Sequence, residues 1–276
     1  MRRTFWLLLL AVACDAPRPL PLTPIPLAES ASPATWTVIE PNAQGRERRV
    51  DPRTALTFVR IPAGRFEMGG RSPIDSPRHP VEIGQDFFVA ETEVTVDQWR
   101  TWLLRDGGWP SLVVPTGAGD VPITGIDHAA ASAFAATYGY ELPTEAQWEY
   151  ACRGGVSGDE SWLDRTRLED TAWIYTNQAD HRDAHVVRQK AANGFGLYDM
   201  LGNVWEWCRD GYAPQYPVTD PSAIRRDPFL PRVGELVVLR GGSWFSVPAP
   251  IPSDRMFTEA TTTSFLIGFR VVARAP

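Results

Sequence analysis

The sequence predicts a loop-rich fold in which short strands and a few short, capped helices are held together by aromatic packing. Three observations point there. Among the 276 residues are 11 Trp and 25 Pro, a balance that disfavours a helix bundle. The apolar segments are short and end at Gly, Pro or Asn. Helix-start signals occur at three places, each followed by apolar residues at helical spacing.

In chain order, Phe58-Val59-Arg60-Ile61 and Gly64-Arg65-Phe66-Glu67-Met68-Gly69 alternate and turn as a hairpin would. Pro80-Val81-Glu82-Ile83 and Asp86-Phe87-Phe88-Val89-Ala90 read as further strands. Thr95 caps a first helix through Trp99, Trp102 and Leu103, and Asp127 opens a second through Ala130, Phe134 and Tyr138. Thr144 caps a third, with Glu145, Gln147 and Glu149 in its first turns. Residues 153–195 read as loops, and Val237–Arg240 and Phe269–Val272 as closing strands.

Composition bounds the function. The chain is 43% hydrophobic and 22% charged, enough for one large core or two small ones. A net charge of −6 argues against a general nucleic-acid role. Met1-Arg2-Arg3 followed by an apolar run from Phe5 to Ala13 has the form of a secretory signal, too short for an ordinary membrane span. Ala11-Val12-Ala13-Cys14 resembles a lipobox, with Cys14 as the lipidated residue; the alternative is an ordinary signal peptide with a coincidental Cys. Domain boundaries are therefore expected at 1–14 for the signal, 15–49 for a Pro-rich tether and 50–276 for the folded domain. At about 3.1 Å per residue, the Pro-dense stretch reaches roughly 60 Å. Export leaves Cys152 and Cys208 as an even pair that fits either a disulfide or two separate buried thiols.

The most informative run is Gly196-Leu197-Tyr198-Asp199-Met200-Leu201-Gly202-Asn203-Val204-Trp205-Glu206-Trp207. An apolar segment holding Asp199 and Glu206 must satisfy both charges, and a hard cation such as calcium does so through carboxylates and backbone carbonyls. The alternative is that both acids cap loops or pair with Arg.

This run resembles the signature of the formylglycine-generating-enzyme, or sulfatase-modifying-factor, family. Further blocks recur in order: Ile61–Gly69, Glu93-Val94-Thr95, Leu142–Glu149, Arg240-Gly241-Gly242-Ser243-Trp244 and Gly268-Phe269-Arg270. The resemblance covers roughly Leu56 to Ala273. It implies an α+β fold, a much-elaborated, C-type-lectin-like arrangement with limited regular structure. It also implies a calcium site at Asp199 and Glu206, with the carbonyls of Gly202 and Val204. A weaker second calcium site is implied at Asn177, Gln178 and Asp183.

The chain departs from the family where chemistry matters. Asp127-His128 stands where the family commonly has Ser-Trp, and Ala130 where Asp is usual. True formylglycine-generating enzymes carry two Cys shortly after the Gly-Gly-Ser-Trp block and bind copper through them. Here the stretch reads Phe245-Ser246-Val247-Pro248-Ala249-Pro250-Ile251-Pro252, and no Cys follows Cys208. Ser246 falls near the first Cys position, and a hydroxyl is a poor Cu(I) ligand. No copper is therefore expected. Ser243, Ser246, Arg255 and Trp205 remain as candidates for a degenerate pocket. His181 and His185, four apart beside Asp180 and Asp183, suit either a metal on a helix or a solvated polar loop.

The sequence thus points to an exported, lipid-anchored, calcium-stabilised binding or assembly module at a cell envelope. Its expected partner is an envelope protein or a glycan, and its membrane contact the lipid anchor alone. The competing expectation is an oxidoreductase of the same family, of the formylglycine-generating type or using another metal or a cofactor.

Overall fold

A computed structural model describes residues 35–70, 72, 75–106, 115, 117–158, 165–178 and 183–275. Cys14, Asp180, His181 and most of the expected tether lie outside the described residues. Among the described residues no helix is long and apolar enough to cross a membrane.

The elements in order are β1 Thr37–Ile39, β2 Arg48–Asp51, β3 Leu56–Ile61, β4 Gly64–Met68, β5 His79–Ile83 and β6 Phe87–Ala90. Helices α1 Val96–Arg105, α2 His128–Thr137, α3 Glu145–Arg153 and α4 Arg165–Thr171 follow. The chain closes with β7 Trp205–Gly211, β8 Arg225–Arg226, β9 Leu236–Arg240, β10 Arg255–Glu259, β11 Ile267–Gly268 and β12 Val272–Arg274. They form a five-stranded sheet β1-β2-β3-β6-β12, a four-stranded sheet β10-β9-β7-β11 and a three-stranded sheet β4-β5-β8. This is the α+β, loop-rich architecture that the sequence predicts.

Strand parity explains why the central strands are apolar on both faces. In β3 and β6, Phe58, Phe88 and Ala90 enter one core, while Val59, Ile61, Phe87 and Val89 enter the other. In β7 and β9, Trp207, Val237 and Leu239 face the first core, and Cys208 and Val238 the second. A strand buried on both sides reads as a continuous apolar run. The first core carries α1 and α2, with Trp99, Trp102, Phe134 and Phe269 in mutual ring contact. The second carries α3 through Ala146, Trp148, Ala151 and Cys152.

The three expected helix starts are observed. Thr95 and Gln98 form a capping box on α1, Thr144 and Gln147 another on α3, and Asp127 accepts the Ala130 N–H at the start of α2. The Asp127-His128 departure is thus structural: Asp127 caps, and the His128 ring bonds the Cys208 carbonyl at 3.0 Å.

Four expectations need correction. The folded domain starts before Val50, because Trp36 stacks on Phe58 at 4.3 Å and β1 and β2 complete the first sheet. β3 and β4 are not a hairpin: β3 pairs with β2 and β6, and β4 with β5. Their burial patterns differ, since β3 is largely buried and β4 alternates, so they belong to different layers. Phe269–Val272 is not one strand, because β11 and β12 flank it while Arg270 turns its side chain into the core. Cys152 and Cys208 are both free and buried, so the disulfide alternative falls. Burial pushes both thiols up, leaving them as small core hydrophobes.

Candidate functional site

The signature run opens onto a buried acidic pocket. β7 begins at Trp205, and the turn before it places Gly202 against Trp173. A Cβ on Gly202 would meet the Trp173 carbonyl oxygen at 2.0 Å, so only glycine fits there. Three non-glycine residues around the pocket adopt left-handed backbone: Arg188 (φ 64°), Asp199 (φ 55°) and Asn203 (φ 51°). Such strain persists only where surrounding structure holds it, and it concentrates at functional sites.

Glu206 is fully buried, and both its oxygens are taken. Arg270 Nε lies 2.9 and 2.7 Å from its two oxygens, and Arg270 Nη2 and Trp148 Nε1 each donate at 2.7 Å. The expected metal role of Glu206 therefore gives way to the Arg pairing that the sequence had left open. Asp199 and Glu93 differ. Asp199 Oδ2 accepts the Arg188 N–H at 2.8 Å, and Oδ1 has no partner among the described residues. Glu93 Oε1 accepts from Asn203 Nδ2 at 3.1 Å, and Oε2 has no partner among the described residues. Burial, reinforced by the Glu206 charge, pushes the Asp199 carboxyl up to about 6. Burial and then the Asp199 charge push Glu93 well above the usual carboxylate range. The charges of Glu206, Glu93 and Asp199 all act on the Arg270 guanidinium, which Glu206 already engages, and Lys190 also acts on Asp199. Two orphaned oxygens in a negative pocket are a donor set for a hard cation. Among the described residues no three His, Cys, Asp or Glu side chains form a ready-made metal cluster.

Glu93 was not foreseen as a site residue. It lies in Glu91-Thr92-Glu93-Val94, wholly buried between β6 and α1. Two acids directly after a fully apolar strand were the available signal.

The weaker calcium set does not come together. Asn177 Oδ1 accepts the Ile174 N–H at 3.0 Å and its amide donates to the Ala172 carbonyl, so it caps its own turn. Gln178 bridges the Trp244 carbonyl and the His185 ring. Asp183 is exposed and accepts the Ala184 N–H. His185 stacks on Trp173 at 3.9 Å rather than reaching outward as a ligand.

Of the pocket candidates, Ser243 and Ser246 meet. The Ser243 N–H donates to Ser246 Oγ at 2.9 Å, and the Ser246 N–H to the Ser243 carbonyl at 2.9 Å. The hydroxyl at position 246 therefore closes a turn. Arg255 lies elsewhere, paired with Glu145 through Nε at 2.5 Å and Nη2 at 2.9 Å and set over the Tyr216 ring. It belongs to a buried ion-pair group in which Arg240 and Arg153 both bind Glu149. Trp205 is half-buried on β7 and packs against the first core. Around the Ser243–Ser246 turn, Tyr175, Phe245 and Phe265 are exposed and in ring contact with one another or with Trp244.

Comparison with known proteins defines the class. The Sulfatase-modifying factor enzyme 1-like domain matches residues 45–275, and the chain belongs to this family. It is 29% identical to a formylglycine-generating enzyme of Streptomyces coelicolor, over 87% of this chain and 95% of that protein. It is 32% identical to the inactive C-alpha-formylglycine-generating enzyme 2 of Bos taurus, over 84% and 92%. It is also 29% identical to hercynine oxygenase of Mycolicibacterium smegmatis, over 80% and 62%. Among solved structures, PvdO from Pseudomonas aeruginosa superposes with a TM-score of 0.68 at 24% identity, covering 82% of this chain and 97% of that one. Treponema denticola variable protein 1 superposes with a TM-score of 0.67 at 25% identity, covering 82% and 99%. The family therefore includes proteins named for different chemistries and one named inactive, and membership alone does not fix the reaction.

Proposed function

We propose that this protein is a calcium-stabilised binding or assembly module at a cell envelope, lipid-anchored through Cys14, that has lost the family's copper-thiolate chemistry. The observation that carries this reading is Ser246, which stands where the family's first copper Cys is expected and whose hydroxyl closes a turn with Ser243. A hydroxyl in that role cannot supply the soft thiolate that Cu(I) needs. Kinship with a relative named inactive supports the same reading.

Calcium fits the acidic pocket. Asp199 and Glu93 would hold it with the Gly202 and Val204 carbonyls, and Glu206 would serve as the fixed counter-ion of Arg270. The cation would supply charge neutralisation: an unpaired buried carboxylate otherwise stays protonated or destabilises the fold. The protein's own residues do the rest. Asn203 orients Glu93, the Arg188 backbone orients Asp199, and the left-handed turns hold both acids in place. The exposed aromatic residues around the Ser243–Ser246 turn are the surface on which a protein or glycan partner would be bound.

The test combines metal analysis with an activity assay. Protein purified without chelator should carry calcium and neither copper nor iron. After copper reconstitution in oxygen it should leave the Cys of a sulfatase-motif peptide unchanged by mass. Protein-dependent conversion of that Cys to the aldehyde would overturn the reading in favour of an oxidoreductase.

A further inference from the structure

The acidic pocket and the exposed aromatic turn are joined by an unbroken run of hydrogen bonds. Asn203 is its hub. Its side-chain amide donates to Glu93 Oε1 at 3.1 Å and to the His185 carbonyl at 3.3 Å, while its oxygen accepts the His185 N–H at 2.9 Å. Its own backbone carbonyl accepts the Trp244 N–H at 2.8 Å, and its N–H donates to the Trp173 carbonyl at 2.8 Å. The His185 ring stacks on Trp173 at an interplanar angle of 14°, and its Nε2 lies 2.6 Å from Gln178 Oε1. Gln178 Nε2 then donates to the Trp244 carbonyl at 2.5 Å. Because that amide nitrogen is committed to Trp244, the Gln178 oxygen must accept from His185 Nε2–H. The far end of the same loop is tied back to the pocket, where the Arg188 N–H binds Asp199 and its guanidinium lies 3.1 Å from Glu91.

The 183–188 stretch is therefore tied to Glu93 indirectly, through Asn203 at His185, and to Asp199 directly at Arg188, and its His185 ring is linked through Gln178 to the turn that carries Phe245. We propose that a cation at Glu93 and Asp199 sets the position of the Ser243–Ser246 turn, and of the aromatic side chains around it, through Asn203, His185 and Gln178. The physical basis is charge. Without a cation, two unpaired buried carboxylates drive the pocket to admit water or to part, and Asn203 and Arg188 move with the acids they bind. With a cation both acids are fixed, and the loop and turn are fixed with them. The proposal rests on the calcium reading above.

Hydrogen exchange of the full chain, with calcium or with chelator, tests it alongside thermal unfolding. Chelation should speed exchange in 183–188 and in 243–246 by about tenfold, the equivalent of roughly one hydrogen bond's net contribution, and leave β3 and β6 unchanged. His185→Phe keeps the stack on Trp173 and deletes the bond to Gln178. In that variant calcium should still raise the melting temperature and protect 183–188. Phe245 and Ser246 should exchange within about twofold of the chelated rate, since about one hydrogen bond has been lost, while Trp244, still bound to Asn203, stays protected. A melting temperature indifferent to calcium would overturn both the calcium reading and the coupling. A calcium-dependent melting temperature with unchanged exchange at 243–246 would overturn the coupling alone. Full protection of Phe245 and Ser246 in His185→Phe would overturn the route through His185 and Gln178.

Discussion

Glu93→Gln separates a metal ligand from a structural acid, because the two roles give opposite signs. Glu93 is fully buried, and among the described residues Asn203 is the side chain that donates to its carboxyl group, at Oε1. A glutamine oxygen can accept that bond, so the variant loses a charge and little else. In chelator, removing a buried carboxylate with an orphaned oxygen should stabilise the protein by about 1–3 kcal/mol. With calcium in hundredfold excess over its dissociation constant, the wild type should gain about 2.7 kcal/mol. For a domain of this size that corresponds to a rise of about 5–10 °C in melting temperature. The variant should lose most of that rise. Near-UV circular dichroism melts in the two media give a crossing pattern: the variant more stable without calcium, the wild type more responsive with it. If Glu93→Gln destabilises equally in both media, Glu93 is a structural acid. If Glu206→Gln alone abolishes the calcium response, the ligand is Glu206 and not Glu93.

Four further outcomes are expected. Arg270→Met strands Glu206 beside two other acids and should cost about 3–5 kcal/mol in urea unfolding, with most of it recovered by adding Glu206→Gln. Burial, then the Glu145 charge, pushes the Asp210 carboxyl up to about 7 from an ordinary value of 3.8. Between those values the folded state keeps a proton that the unfolded state has lost, so Asp210 lowers stability by about 1.4 kcal/mol per pH unit as pH rises from 3.8 towards 7. Asp210→Asn should flatten that slope in denaturant titrations, and an unchanged slope would show that another group titrates. Ser246→Cys alone should not yield formylglycine in a copper-reconstituted peptide assay, since one thiolate cannot form a two-sulfur site; aldehyde formation would refute this. Cys14→Ser should abolish lipid labelling and release the protein from membranes, and persistent labelling would place the anchor elsewhere.

What could be read from the sequence follows from which forces act locally. The caps at Thr95, Asp127 and Thr144 are satisfied within a few residues, so their side-chain types alone announce them. The hairpin reading of Phe58–Gly69 failed because strand pairing is non-local. β3 finds β6 across the β4–β5 pair, and nothing near Pro62 encodes that. The acidic pocket was half legible. Asp199 and Glu206 stood out as charges in an apolar run, but whether Glu206 meets a cation or a guanidinium depends on Arg270, which lies 64 residues away. Glu93 enters the pocket from a separate segment, 110 residues from Asn203. The absence of any Cys after Cys208 could be read directly, because it depends on residue type. What stands in place of the family's Cys pair could not: the Ser246 hydroxyl closes its own turn, and hydrogen bonds lead from that turn through Gln178, expected as a weak calcium ligand, to His185, read as either a metal ligand or part of a solvated polar loop. The Gln178 amide oxygen and the His185 imidazole N–H satisfy one another, a pairing that residue type alone does not announce.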